Sequence, residues 1–269
     1  MNLLDYKYDI HSCCGNDGII EKIFDVIDIE QGSFVEFGAW DGITGCNCRQ
    51  LYKKGWNGIF IEPDTAKYND LCKNYKDDLK VVCVKSFVGY KDNLFDDIIA
   101  PYADHIDFCS IDIDGLDLAV FESINRYLPT VICMEGGQML HPNHERIPDD
   151  LAKNNIQQSL SVINEVALSK GYRVLCSYQD TFLIKKALFD KFEVHGDVLG
   201  LYLDGVSVLA RRLPWIKQTI EKVGLKNEIV DRILDSCNYG EYGWGERKRW
   251  AIQKDKAIQK EIENIRNGY

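Results

Sequence analysis

Phe34-Val35-Glu36-Phe37-Gly38-Ala39-Trp40-Asp41-Gly42 reads as a short buried strand running into a glycine turn ahead of a polar segment. Ser33 to Phe37 alternates and closes on an aromatic residue. Gly38 and Gly42 let the backbone take φ > 0 and approach a ligand closely. Downstream, Gly58-Ile59-Phe60-Ile61-Glu62-Pro63 is a second apolar strand that ends on a carboxylate. In doubly wound α/β folds an acidic residue at that place takes the hydroxyls of a ribose. The two stretches together point to a nucleotide-sized cofactor. A dinucleotide fits less well, because Ile43 stands where G-x-G-x-x-G needs its third glycine.

Outward from this pair, strands alternate with helices. Asn16-Asp17 offers an N-cap for a helix over 18–27, whose apolar positions recur at helical spacing. A helix over 48–54 ends at Gly55, and one begins at Pro63 and runs to 76 with Tyr68, Leu71, Cys72 and Tyr75 on one face. Strands are expected at 79–84, 106–111 and 130–134, and helices at 92–102 and 116–125. From 136 to 155 the chain has two prolines, two histidines and no apolar period, and so long a loop is usually functional. An amphipathic helix over 156–170 leads to two strands, 172–177 and 181–185. The pattern predicts a Rossmann-like α/β sheet, mostly parallel with its last strand antiparallel, and ligands beyond the strands' carboxyl ends. The organisation is then a segment 1–15, a domain 16–186 and a mainly helical extension 187–269. Helices are expected there at 214–223, 228–237 and 247–267, with a glycine and aromatic linker at 238–245.

Composition narrows the partners. A net charge of −10 and a pI near 5.0 argue against nucleic acid, since phosphate contacts need concentrated Lys and Arg. A small substrate is easier to accommodate. The first nine residues lack the basic start and apolar core of a signal peptide, and no uninterrupted apolar run reaches the roughly 18 residues of a membrane span. A cytoplasmic protein without membrane insertion is therefore expected. The ten cysteines are adjacent, one residue apart or scattered, which favours reduced thiols packed as small hydrophobes over a metal or disulfide framework.

Residues 34–42, then Gly45-Cys46-Asn47, Leu51, Gly55-Trp56, Ile61-Glu62-Pro63, Tyr68 and Ser110-Ile111-Asp112-Ile113-Asp114-Gly115, resemble an FkbM-type class I methyltransferase over the stretch 17–185. The resemblance implies S-adenosylmethionine as cofactor and methylation of an oxygen, in the setting of bacterial polysaccharide, capsule or macrolide clusters. The implied acceptor is a small carbohydrate or a phosphorylated or phosphoramidate precursor of a capsule. A non-catalytic protein that keeps the fold and an NAD-dependent oxidoreductase are the alternatives.

Site residues follow from both readings. Glu36, Gly38, Ala39, Asp41 and Gly42 are expected around the methionine end of the cofactor, with Asn47 near its amino-acid end by resemblance. Glu62, beside Pro63, is expected on the ribose diol, and Ser86 and Phe87 at the adenine. Asp112, also assigned to the cofactor, joins Asp114 and Glu135 at neighbouring strand ends, where like charges need a cation or a proton between them. Mg²⁺ or Mn²⁺ suits such oxygen donors; alternatively, Asp112 or Asp114 caps amides in the Gly115 turn. His141, His144 and Asp112 are the candidate catalytic residues, the two histidines being placed to remove the proton, and Gln138, Arg146, Tyr178 and Asp180 are the candidate substrate contacts. By resemblance, His11 and Asp17 belong to a segment that reaches the site. Trp215, Tyr239, Tyr242, Trp244 and Trp250 would make the extension a lid over a sugar or a homo-oligomer contact.

Overall fold

The computed structural model describes residues 1–194, 197–209, 211–236 and 255–268. At its centre β1 (Ser33–Phe37) is buried at four of five positions and pairs in parallel with β2 (Asn57–Ile61) and with β4 (Phe108–Ile111). A strand buried on both faces cannot alternate apolar and polar residues cleanly, which is why these runs read as nearly continuous hydrophobe. β3 (Val81–Val84) continues one edge, and β5 (Val131–Glu135), β7 (Asp180–Lys185) and β6 (Tyr172–Ser177) the other, in the order β3-β2-β1-β4-β5-β7-β6. Only β7 opposes its neighbours. The expected Rossmann-like sheet, parallel except for its last inserted strand, is the fold observed.

Local chemistry sets the helix starts. α1 (Asn16–Ile27) begins at Gly15, whose left-handed backbone (φ +99°) turns the chain into the helix with no side-chain cap. The expected cap at Asn16-Asp17 is thus corrected: both residues lie inside the first turn, with their side chains engaged elsewhere. α2 (Arg49–Lys53) is short. α3 (Thr65–Asn74) starts two residues after Pro63, because the Asp64 carboxylate accepts from the amides of Ala66 and Lys67. α4 (Phe95–Ile99) and α5 (Asp117–Ser123) are shorter than their periodicity implied. The loop after β5 holds one turn of helix, α6 (Asp149–Ala152), before α7 (Leu160–Ser169), capped by Ser159.

The extension is helical. After α8 (Lys186–Phe189), the unexpected α9 (Val198–Val208) packs on the sheet so closely that a Cβ at Gly205 would lie 2.1 Å from the Ser177 carbonyl. Apolar residues surround most of α9, so no amphipathic period announces it. α10 (Leu213–Glu221), α11 (Glu228–Ser236) and α12 (Asp255–Gly268) follow. Tyr239, Tyr242, Trp244 and Trp250 lie outside the described residues. No helix among the described residues is long and apolar enough to cross a membrane.

Strand spacing leaves no room for a side chain at Gly58, which pairs with Phe34: a Cβ there would lie 2.0 Å from the Phe34 ring. Gly58→Ala should therefore destabilise the domain by about 1–3 kcal/mol through overpacking. Urea unfolding measures it, and an unchanged midpoint would contradict the packing described.

Candidate functional site

The strand order reverses between β1 and β4, and the crevice beyond their carboxyl ends is where doubly wound folds take ligands. Gly38, at φ +77°, closes one wall. A Cβ on it would lie 1.9 Å from the Asp112 backbone oxygen, so the chain passes here only as glycine. Asp41 accepts from the amides of Ile43 (2.9 Å) and Thr44 (2.8 Å), an Asx turn that shapes the loop. Behind it, Gly42 accepts the Tyr75 hydroxyl at 2.5 Å, and the buried Ala39 ties back to Ile61.

Glu62 is buried at the end of β2. One carboxylate oxygen accepts the Trp40 amide at 2.9 Å and the other the Asp64 amide at 2.8 Å. A carboxylate offers about four acceptor positions, so two remain after the loop is fastened. Trp40, not anticipated as a site residue, stands in the left-handed region (φ +49°), 49% exposed, with Lys67 over its ring at 5.1 Å. A large aromatic inside a glycine turn was the available signal. Pro63 and Phe87 are exposed nearby in sequence, and Ser86 is held by Asn93 after β3.

Glu36 faces inward. It accepts from the Cys46 thiol (2.9 Å) and from the amides of Asn47 (3.1 Å) and Cys48 (2.9 Å). Burial pushes its carboxyl above the usual range while these donors pull it back. It clasps the loop that carries Asn47. Asn47 is buried in turn, donating to Ser110 Oγ (2.9 Å) and accepting from Asn16 Nδ2 (2.9 Å).

Asn16 is a hub that periodicity did not reveal. Its Nδ2 also donates to Asp180 at 2.7 Å, and its Oδ1 accepts from the Tyr178 hydroxyl. Residues 16, 47, 110, 178 and 180 thus form one buried network joining α1, the loop after the glycine turn, β4 and the β6–β7 turn. The segment before α1 straps this region. The amides of Ile10, His11 and Ser12 all donate to one oxygen of Asp17 at 2.7 to 2.9 Å, Ser12 bridges to Gly45, and Lys7 sits 4.2 Å over the Tyr178 ring.

Asp112, Asp114 and Glu135 meet as their strand positions suggested, each offering an oxygen within 4.8 Å of the others. Capping of the Gly115 turn falls to a fourth acid, Asp117, which accepts from Ile113 (3.1 Å) and Gly115 (2.9 Å) and leaves the trio unspent on it. Asp112 is open on its cleft side, but the protein packed behind it desolvates the carboxylate, and Asp180, Asp117 and Asp114 repel its charge. Its pKa rises to about 8. Glu135, which accepts from Gln157 at 2.6 Å, rises for the same reasons to about 9. This donor set matches a hard divalent cation, which would relieve the repulsion.

The loop residues divide. Glu135, Gln138, Tyr178, Gln179, Arg212 and Trp215 line one cavity beside the acids. His144 and Arg146 line a different depression with Glu122 and Glu165. Arg146 grips Glu122 with both arms of its fork, and His144 Nδ1 lies 2.7 Å from the Glu145 carbonyl. His141 Nδ1 accepts the Asn143 amide at 3.2 Å, and burial lowers its pKa despite Glu228 nearby. In the first cavity Gln138 Nε2 donates to Ser177 while its buried Oε1 has no partner among the described residues. Gln179 Oε1 accepts both the Cys14 thiol and Arg212, joining the strap to the extension.

No protein-family model matches the chain, and no curated protein matches it. Among solved structures it is similar to a SAM-dependent methyltransferase from Aquifex aeolicus, at 13% identity and a TM-score of 0.39 over 61% of this chain and 86% of that one. It is also similar to a putative sarcosine dimethylglycine methyltransferase from Galdieria sulphuraria, at 13% and 0.42 over 94% and 79%. M. capricolum TrmK in complex with S-adenosyl-homocysteine matches at 11% and 0.42 over 90% and 96%. At such values the fold assignment stands on the strand order itself.

Two outcomes are expected. Asn16→Ala should cost about 1–3 kcal/mol, because Asp180 and Tyr178 lose a buried partner; an unaltered melting temperature would remove the hub. The Cys13 thiol donates to Cys14, and with Arg212 nearby this draws the Cys14 pKa down to about 7, while Cys13 is pushed up. Alkylation of Cys14 should therefore rise with pH to a half-maximum near 7, read by mass spectrometry. A midpoint at the ordinary thiol value would refute the pairing.

Proposed function

We propose that this chain is an S-adenosylmethionine-dependent O-methyltransferase acting on a small carbohydrate or a phosphorylated or phosphoramidate precursor of a bacterial surface polysaccharide. The observation that carries the reading is the buried Glu62 carboxylate at the end of β2, fastened to the glycine turn of β1 at the reversal of strand order. Two free acceptor positions on Glu62 suit the two hydroxyls of a ribose. A cytoplasmic location goes with the reading, as does a core at 16–186 over which 187–269 serves as lid or homo-oligomer contact.

When bound, the cofactor supplies an electrophilic methyl group on a sulfonium. The chain's part is to hold the acceptor oxygen in line with that carbon, near contact, and to accept its proton as the C–O bond forms and the S–C bond breaks. Gly38 lets the β1 turn close on the crevice, and Asn47, fixed by Glu36, faces the same loop. Asp112 is the base we assign, because it stands where β4 opens into the crevice. His141 and His144 are the next candidates. Asp112, Asp114 and Glu135 would hold Mg²⁺ or Mn²⁺, which lowers the pKa of a hydroxyl bound to it.

Calorimetric titration of S-adenosylhomocysteine into metal-stripped protein, repeated with Mg²⁺ and Mn²⁺, tests the reading. Binding supports it, and no binding under any condition would favour a non-catalytic protein of this fold. Glu62→Ala should weaken binding by about 1–3 kcal/mol through the lost charged hydrogen bonds. Without metal, turnover should rise with pH through about 8, since a carboxylate with a raised pKa becomes a base only above it. Asp112→Asn should abolish that rise and reduce turnover more than cofactor binding, and a wild-type profile would transfer the role to the histidines.

A further inference from the structure

Arg212 stands at the junction of α9 and α10, on the cavity that also holds Glu135 of the acidic trio. Among the described residues no carboxylate lies within ion-pair distance of it. Its guanidinium donates to the neutral amide oxygen of Gln179 and lies 6.0 Å from the centre of the Trp215 ring, itself 45% exposed. The contrast with Arg146 is direct, because that fork is already filled by Glu122. We propose that Arg212 anchors an anionic group of the methyl acceptor, so that the acceptor is a small hydroxyl-bearing phosphate or carboxylate seated between the strands' carboxyl ends and the C-terminal extension.

The argument rests on the proposed methyl transfer for what happens at the far end of this cavity, and on the cavity's own walls for the ligand's chemistry. A guanidinium bonded to a neutral amide exchanges that bond readily for two parallel charge-assisted bonds to a phosphate or carboxylate. Gln138, 3% exposed, belongs to the same wall, and its buried Oε1 has no partner among the described residues, an acceptor that a hydroxyl donor entering here would satisfy. Trp215 offers a flat face beside the guanidinium for a ring or carbon skeleton. Binding would draw Arg212 from Gln179 and leave that oxygen to Cys14 of the N-terminal strap.

The test uses the full chain, with and without saturating S-adenosylhomocysteine, at constant ionic strength. Phenyl phosphate and benzoate are titrated against phenol as the matched neutral probe, by saturation-transfer NMR and calorimetry. Wild type should prefer an anionic probe at least tenfold over phenol, and whichever anion leads identifies the group. Arg212→Gln should remove the preference, Arg212→Lys restore part of it, and Arg146→Gln leave it intact, all with unaltered melting temperatures. An Arg212→Gln variant that keeps the preference, or a wild type that shows none, overturns the proposal. Cofactor affinity should be equal in wild type and Arg212→Gln. If S-adenosylhomocysteine binds neither, the methyltransferase reading fails, while the anion preference of the cofactor-free protein still decides the role of Arg212.

Discussion

The site depends on one close approach: the backbone at Gly38 lies against the carbonyl of Asp112, with no space for even a methyl group between them. This contact fixes the spacing of the β1 and β4 ends and hence the width of the crevice at the reversal of strand order. A second fastening complements it. Glu62 reaches from β2 to the Trp40 amide, so that the turn is held from both neighbouring strands. The polar groups that a ligand would meet are thereby set by backbone geometry and not by mobile side-chain ends.

Carboxylates organise the remainder, each in a different way. Glu36 is satisfied by its own loop, Asp117 by the Gly115 turn and Asp180 by Asn16. Amide and thiol donors there replace part of the lost water, although burial still raises the pKa of all three. Asp112 and Glu135 show the other. They have few donors and one another's charge to contend with, so they retain protons to unusually high pH. Unspent acidity of that kind concentrates at sites that bind or react.

Both termini converge on the same place. The segment before α1 is stitched down by three amides on Asp17, and the extension arrives through α9 and Arg212. They meet at Gln179 in the β6–β7 turn. One wall residue of the cavity, Gln179, is thus held by side chains nearly two hundred positions apart, Cys14 and Arg212.

The alternation of strands and helices, the glycine turn and the acid-ended second strand were legible in the sequence, because local backbone needs and apolar runs are written in consecutive residues; the strand order came only with the folded sheet. The acidic trio was legible for the same reason, as its members end strands whose adjacency the alternation implies. Asn16 was legible only as a helix cap, and α9 was not legible at all, since an almost wholly apolar helix carries no period. The assignment of Arg212 to the cavity and of Arg146 to Glu122 required the folded chain. Long, flexible side chains take their partners from whatever the tertiary structure brings within reach, and sequence spacing does not encode that.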